Sequence, residues 1–261
     1  MPELPEVKVR LNYLRREALG RRIERVTVTA PGMIKSGSAA AFCRGLRQRR
    51  IVEAYRRGKY LVATLDDGRT LILHFGMGGD LSRYFDPGDK PDYTRIEFLL
   101  DDGTRLGFTC PRKICRVMLV DDPSTVPALR DMGPEPLGRE FTRARFGRLI
   151  EESPRRRIKP LLLDQTKIAG VGNIYADQIL FDASVRPDRL AQSLTEEEIG
   201  RIHRETRRVL RRAIPVAAED FPRDFLVSLN SDGESCRQCR GEISRMKLGG
   251  RTAYFCARCQ R

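Results

Sequence analysis

The chain has 261 residues, 40% apolar and 32% charged, a globular composition with length for two modest domains. No apolar run approaches the roughly 18 to 20 residues of a membrane span, and the N-terminus lacks the basic-then-apolar layout of a secretory signal, so no membrane partner is expected and the cytoplasm is the expected compartment. Lysine and arginine number 49 against 35 aspartates and glutamates, and the net charge of +14 points to a polyanionic partner.

From Pro5 to Leu19, the residues Val7, Leu11, Leu14 and Ala18 recur at helical spacing, with Pro5 in the first turn and Gly20 as the stop. Seven β-rich segments follow: IERVTVT, RIVEAY, KYLVATL, TLILHF, RIEFLL, RLGFT and RVMLV, separated by turn pairs such as Asp67-Gly68 and Asp102-Gly103. So many short strands predict a sandwich or barrel. DDPSTVPALRDMGPEPLG is rich in proline and turn residues and is expected to be a linker. Helical periods then return over 142–152, 158–164, 173–183 and 195–213, the last opening on a Ser/Thr-then-glutamate start.

The C-terminus carries Cys236, Cys239, Cys256 and Cys259 as C-x2-C-x16-C-x2-C. Four thiolates at that spacing predict one structural zinc ion, and in a chain without a secretion signal disulfides are disfavoured there. The spacer reads as a hairpin turning near Gly249 and Gly250. The other cysteines, Cys43, Cys110 and Cys115, are expected to be buried, reduced thiols. The whole is an α+β chain: a β-sandwich with flanking helices over 1–122, a linker over 123–139, a helical domain over 140–228 and a zinc ribbon over 229–261.

Two arginine-rich runs, Arg44 to Lys59 and Arg143 to Lys159, favour nucleic acid over a membrane surface, because neither forms an amphipathic helix with bulky apolar anchors. In IAGVGNIYADQILF, Gly170 and Gly172 permit a tight turn with exposed amides. Asn173 then opens a helix, so a phosphate can sit on backbone N–H groups and the helix dipole. An ordinary glycine turn between two helices is the competing reading. The segment matches neither a Walker loop nor a dinucleotide fingerprint, and no nucleotide cofactor is expected.

MPELPEV, RRGKYL, HFGMGG, GPEPLG, AGVGNIYADQILF and the four-cysteine ribbon, in this order, resemble the formamidopyrimidine-DNA glycosylase and endonuclease VIII family through essentially the whole chain. The resemblance implies a helix-two-turn-helix fold for the helical domain and a monomeric base-excision repair enzyme acting on damaged chromosomal DNA of bacterial type. Its implied activity is to remove oxidised or ring-opened bases and then cleave the backbone as an abasic-site lyase. It also implies that Pro2, once Met1 is removed, is the nucleophile: a terminal amine with an ordinary pKa near 7.7–8.0 is appreciably neutral at physiological pH.

Glu3 matches the family's general acid/base, and Glu6 a second acidic active-site position, although a carboxylate in a first helical turn is also favourable in itself. Lys59, His74, Asn173 and Arg251 match contacts to the DNA backbone, and the resemblance also counts Lys59 among the catalytic residues. Met77 matches a residue that fills the space left by an extruded base, and Arg112 the arginine that faces the orphaned base.

Two departures from the family pattern stand out. Ile114 occupies the place of an aromatic two residues after Arg112, and Cys110 that of a usual aspartate, so the wedge cannot stack as a ring does. Between Ala218 and the ribbon only AEDFPRDFLVSLNSDGE remains, too short for the loop that closes over 8-oxoguanine in specialised members. Weak handling of 8-oxoguanine is therefore expected. The alternative is a catalytically idle damaged-DNA-binding protein on the same scaffold, against which the intact Pro2 and Glu3 argue.

Overall fold

The structure, a computed structural model, describes residues 1–218, 220–226 and 234–261. It divides into two units, Met1–Asp131 and Met132–Arg261.

In the first unit, helix α1 (Leu4–Ala18) buries Leu4, Val7, Leu11, Leu14 and Ala18 on one face. Burial of the four larger side chains stabilises by roughly 1.5–3 kcal/mol each and fixes the N-terminus to the sheet. Gly20, at φ +78°, provides the left-handed turn after the helix. The strands are β1 (Arg22–Val28), β2 (Arg49–Arg57), β3 (Tyr60–Leu65), β4 (Thr70–His74), β5 (Asp80–Tyr84), β6 (Thr94–Leu100), β7 (Arg105–Thr109) and β8 (Arg116–Val120). They are antiparallel in the order β5-β7-β6-β1-β2-β3-β4-β8.

β1 and β2 pair only at Arg22–Arg50 and Ile23–Arg49, so the sheet turns a corner there into two four-stranded layers. Ile23, Ile96, Phe98 and Phe108 of one layer and Leu61, Leu73 and Val117 of the other share a single core with α1. This is the expected sandwich. It has one strand more than the seven expected, because β5 (DLSRY) carries too little apolar alternation to stand out. Helix α2 (Ala39–Leu46) was also not legible in advance; Ser38 caps it by accepting from Ala41 N–H. A short helix α3 (Pro127–Arg130) follows the sandwich.

The second unit contains α4 (Arg143–Glu151), α5 (Ile158–Leu163), α6 (Asn173–Asp182) and α7 (Glu196–Ala213), then the hairpin of β9 (Ile243–Leu248) and β10 (Arg251–Cys256). Thr195 and Glu198 close a capping box at the start of α7, with Glu196, Glu197 and Glu198 in the first turn. α7 ends at Ala213, as the period over 195–213 predicts, and the chain continues in turns. The short segment expected to lack a capping loop includes 219 and 227–233, which lie outside the described residues.

Candidate active site and zinc centre

The candidate residues fall into two groups, one in each unit. In the first, Pro2 and Glu3 are buried just ahead of α1. Glu3 is the N-cap: its N–H donates to Glu6 Oε2 at 2.7 Å and its own side chain accepts from the Glu6 backbone. The two acidic residues expected at the site therefore form a reciprocal capping box that fixes the terminus.

Arg10 extends this anchoring. It donates to Glu6 O (3.0 Å), Gly79 O (3.1 Å) and Asp80 Oδ2 (3.2 Å), and its guanidinium lies 5.3 Å from the centre of the Phe75 ring. α1 is thereby joined to the loop that carries Met77. No motif marks Arg10, because its partners Gly79 and Asp80 lie about seventy residues away.

Lys59 is buried in the β2–β3 turn, where Arg57 pairs with Tyr60 and Gly58 has φ +55°, as the first position of a two-residue primed turn requires. His74 ends β4 opposite both Tyr60 and Arg116, and its ring lies 4.8 Å from that of Tyr60. Burial, then Arg116 and Lys59, push its pKa down to about 4. His74 Nδ1 accepts from Gly76 N–H at 3.3 Å, so the neutral ring keeps its proton on Nε2 and offers a donor rather than a cation.

Met77 stands at the loop tip between Gly76 and Gly78, both at positive φ, and is 45% exposed. Arg112 Nη1 lies 3.5 Å from Met77 Sδ, and Ile114 is 48% exposed beside them. The structure thus brings Met77, Arg112 and Ile114 into one protruding cluster. Cys110 and Cys115, expected as reduced thiols, are joined by a disulfide. The ends of β7 and β8 hold them close enough, a convergence that x4 spacing alone does not reveal. Cys43 is free and half-buried, and burial pushes its thiol pKa up.

In the second unit, Asn173 is the first residue of α6. Its Nδ2 donates to Thr252 O at 3.0 Å, while Oδ1 is buried without a hydrogen-bond partner among the described residues. The expected clamp of open glycine amides needs correction, since Gly170 N–H already donates to Gln165 Oε1 at 2.9 Å and the loop is buried. Arg251 begins β10 and is exposed. Its pairing with Leu248 leaves Gly249 and Gly250, at φ +55° and +76°, as a two-residue hairpin turn.

Lys159 departs from the nucleic-acid contact expected of its basic run. It is fully buried, with Nζ 2.6 Å from Asp177 Oδ1 and 2.9 Å from Thr252 O. Asp177 Oδ2 accepts from Tyr254 N–H at 3.3 Å, and burial raises the Asp177 carboxyl to about 6 despite the ammonium beside it. Helices α5 and α6 therefore grip the hairpin one residue after Arg251. The signal available in sequence was a lone aspartate inside the otherwise apolar NIYADQILF.

The sulfurs of Cys236, Cys239, Cys256 and Cys259 lie within 4.8 Å of one another, with Cys239–Cys256 at 3.5 Å and Cys236–Cys259 at 3.7 Å. A zinc tetrathiolate with bonds of about 2.3 Å has edges of about 3.8 Å, so the donor set fits one structural Zn2+. Gly241 N–H, 3.4 Å from Cys239 Sγ, supports one of the thiolates. Zinc supplies the rigidity that a hairpin with so small a core lacks.

Residues 1–117 match the formamidopyrimidine-DNA glycosylase N-terminal domain, 132–221 its H2TH domain, and 233–261 the zinc finger found in FPG and IleRS. The formamidopyrimidine-DNA glycosylase of Pelotomaculum thermopropionicum is 37% identical over 278 aligned positions, covering 100% of this chain and 99% of the relative. A MutM protein in complex with DNA containing carbocyclic 8-oxo-G superimposes with TM-score 0.90 at 28% identity, covering 100% of both chains. The Lactococcus lactis protein in complex with FAPY-dG DNA gives TM-score 0.90 at 28% identity, over 99% of this chain and 100% of the other. Among the described residues, no helix is long and apolar enough to cross a membrane. Three domain models in sequence, a full-length relative and the four-sulfur centre agree, and the chain belongs to the formamidopyrimidine-DNA glycosylase family.

Proposed function

We propose that this base-excision repair glycosylase also acts as an abasic-site lyase, through an imine formed by Pro2. The observation that carries this reading is the burial of Pro2, directly before a Glu3–Glu6 capping box. Helix capping requires no proline at this position. With Met1 removed, the Pro2 nitrogen attacks C1′ of the damaged nucleotide, the bond from C1′ to the base breaks, and the base leaves with a proton. Glu3 protonates the sugar ring oxygen as the ring opens, giving an iminium. The iminium acidifies the C2′ protons; loss of one expels the 3′ phosphate and breaks the strand.

Within this reading Glu6 holds Glu3 in place. Lys59, His74, Asn173 and Arg251 donate to backbone phosphates, and Met77, Arg112 and Ile114 fill the stack vacated by the extruded base. Arg251 is exposed while Thr252 beside it is fixed by Lys159 and Asn173, an arrangement suited to presenting one cation from a rigid support. The enzyme acts as a monomer without a nucleotide cofactor.

Borohydride trapping on abasic duplex DNA tests the mechanism. The processed native protein forms a covalent adduct that Pro2→Gly loses, whereas absence of an adduct with native protein refutes the imine and supports an idle DNA-binding protein instead. The reading extends to substrate: ring-opened purines or oxidised pyrimidines are excised in preference to 8-oxoguanine. The shortness of the segment AEDFPRDFLVSLNSDGE ahead of the ribbon supports this. Excision of 8-oxoguanine and thymine glycol from matched duplexes is the comparison to make, and a strong preference for 8-oxoguanine refutes this part.

A further inference from the structure

The loop Pro111–Ile114 is bounded by two cysteines that the proposed chemistry does not use. Cys110 and Cys115 are disulfide-bonded with Cα atoms 6.3 Å apart, and both are buried. Cys115 N–H donates to Cys110 Sγ at 3.3 Å, and Cys115 Sγ lies 3.1 Å from Phe75 O in the neighbouring Met77 loop.

The two loops are packed without slack around this sulfur pair. A Cβ at Gly76 would meet the Ile114 and Cys115 backbone at 3.0 Å, and one at Gly79 would meet Cys115 Sγ at 2.8 Å and Phe75 O at 2.5 Å. On the outer side, Ile114 and Met77 are about half exposed, beside the exposed Arg112 and Lys113. Exposed apolar side chains flanked by cations have the chemistry of a wedge between bases with phosphate neutralisation at its edge. Ile114 has no ring to stack, so its discrimination depends on shape, and shape requires that the loop be ordered before insertion. Closing a short ring removes much of the entropy such a loop would otherwise lose on binding.

We propose that Cys110–Cys115 is a specificity-determining cross-link that holds Arg112 and Ile114 in the form that distinguishes the base opposite the lesion, and that its reduction erases this distinction. The proposal rests on the glycosylase reading above. In forming the bond, the two thiols give up two protons and two electrons to a small-molecule disulfide, which leaves as two thiols. A phosphine reverses the step, taking oxygen from water to become the phosphine oxide while both thiols are restored.

The test uses the full-length, zinc-loaded protein, oxidised or phosphine-reduced. Excision of a formamidopyrimidine lesion is measured opposite each of the four bases, and borohydride trapping is measured at an abasic site opposite a baseless spacer. Reduction is expected to lower excision opposite the preferred base about tenfold and to bring the four rates together, with trapping unchanged. The double variant Cys110→Ser/Cys115→Ser is expected to match the reduced protein and to ignore phosphine. Should that variant not fold, the oxidised and reduced native protein decide alone. Equal rate patterns in the two redox states overturn the proposal, as does native discrimination in the double variant or a phosphine effect persisting there. Absence of trapping in both states overturns the glycosylase reading and the proposal with it.

Discussion

Replacing Lys159 by methionine keeps the apolar stem and deletes one buried ammonium. In the native fold that ammonium lies 2.6 Å from Asp177 Oδ1 and 2.9 Å from Thr252 O, with Lys159 fully buried and Asp177 5% exposed. Removing one partner of a buried pair costs about 3–5 kcal/mol when the other stays charged. The cost depends on pH. Asp177 has a folded pKa of about 6, above its unfolded value near 3.9, so its contribution to stability is fully present below the unfolded value and is lost as pH rises through 6. Without Lys159 the folded pKa moves higher, and the loss continues into the neutral range. Lys159→Met is therefore nearly neutral at pH 5, where Asp177 is mostly protonated in both proteins, and approaches the full penalty at pH 8.

Because two compact units need not unfold together, the assay is hydrogen exchange of peptides from β10 and α6 in zinc-loaded protein, not a single global melt. Lys159→Met/Asp177→Leu recovers most of the lost protection. A pH-independent change, or a double variant no better than the single one, refutes the ion-pair account.

Chelation of the four-cysteine centre is expected to weaken duplex binding before it affects adduct formation by Pro2; gel shift and borohydride trapping on the same chelator series separate the two. His74, with its pKa lowered to about 4, contributes stability present above its unfolded value near 6.5 and lost as pH falls toward 4, up to about 3 kcal/mol. His74→Gln removes that part of the acid dependence of unfolding. Arg10→Met removes the donors to Glu6 O, Gly79 O and Asp80. Urea unfolding of the first unit should move by about 1–3 kcal/mol, with a fall in kcat for excision and no change in zinc content.

What the sequence disclosed was mostly local. The zinc site is two C-x-x-C pairs around a hairpin whose turn is written in Gly249 and Gly250, and α1 is an apolar stripe between Pro5 and Gly20. Each depends on residues a few positions apart. The features that escaped reading are pairs brought together by the fold: Arg10 with Gly79, Lys159 with Thr252, and Cys110 with Cys115 across the ends of two strands. Lys159 was concealed by company, the last cation of a run whose arginines are exposed or half-exposed while it alone is fully buried. Helix α2 escaped because its alanines carry little pattern, and β5 because it is short and polar.

The same division separates the chemistry from what places it. Pro2, Glu3, Asn173 and Arg251 stand in recognisable strings, yet none is held by its string alone. Glu3 is fixed by Glu6 and, through Glu6 O, by Arg10; Asn173 by Thr252; and the strand carrying Arg251 by a lysine nearly a hundred residues earlier in the chain. A substitution in a motif therefore removes a reacting or binding group outright. A substitution at Arg10 or Lys159 leaves every such group present and displaces it, and since reacting atoms tolerate misplacement of only about 1 Å before rates fall by about 100-fold, the unmarked positions should govern rate as strongly as the marked ones. A set of variants at Arg10 and Lys159 that keeps full excision activity while losing these hydrogen bonds would show instead that the motifs position themselves.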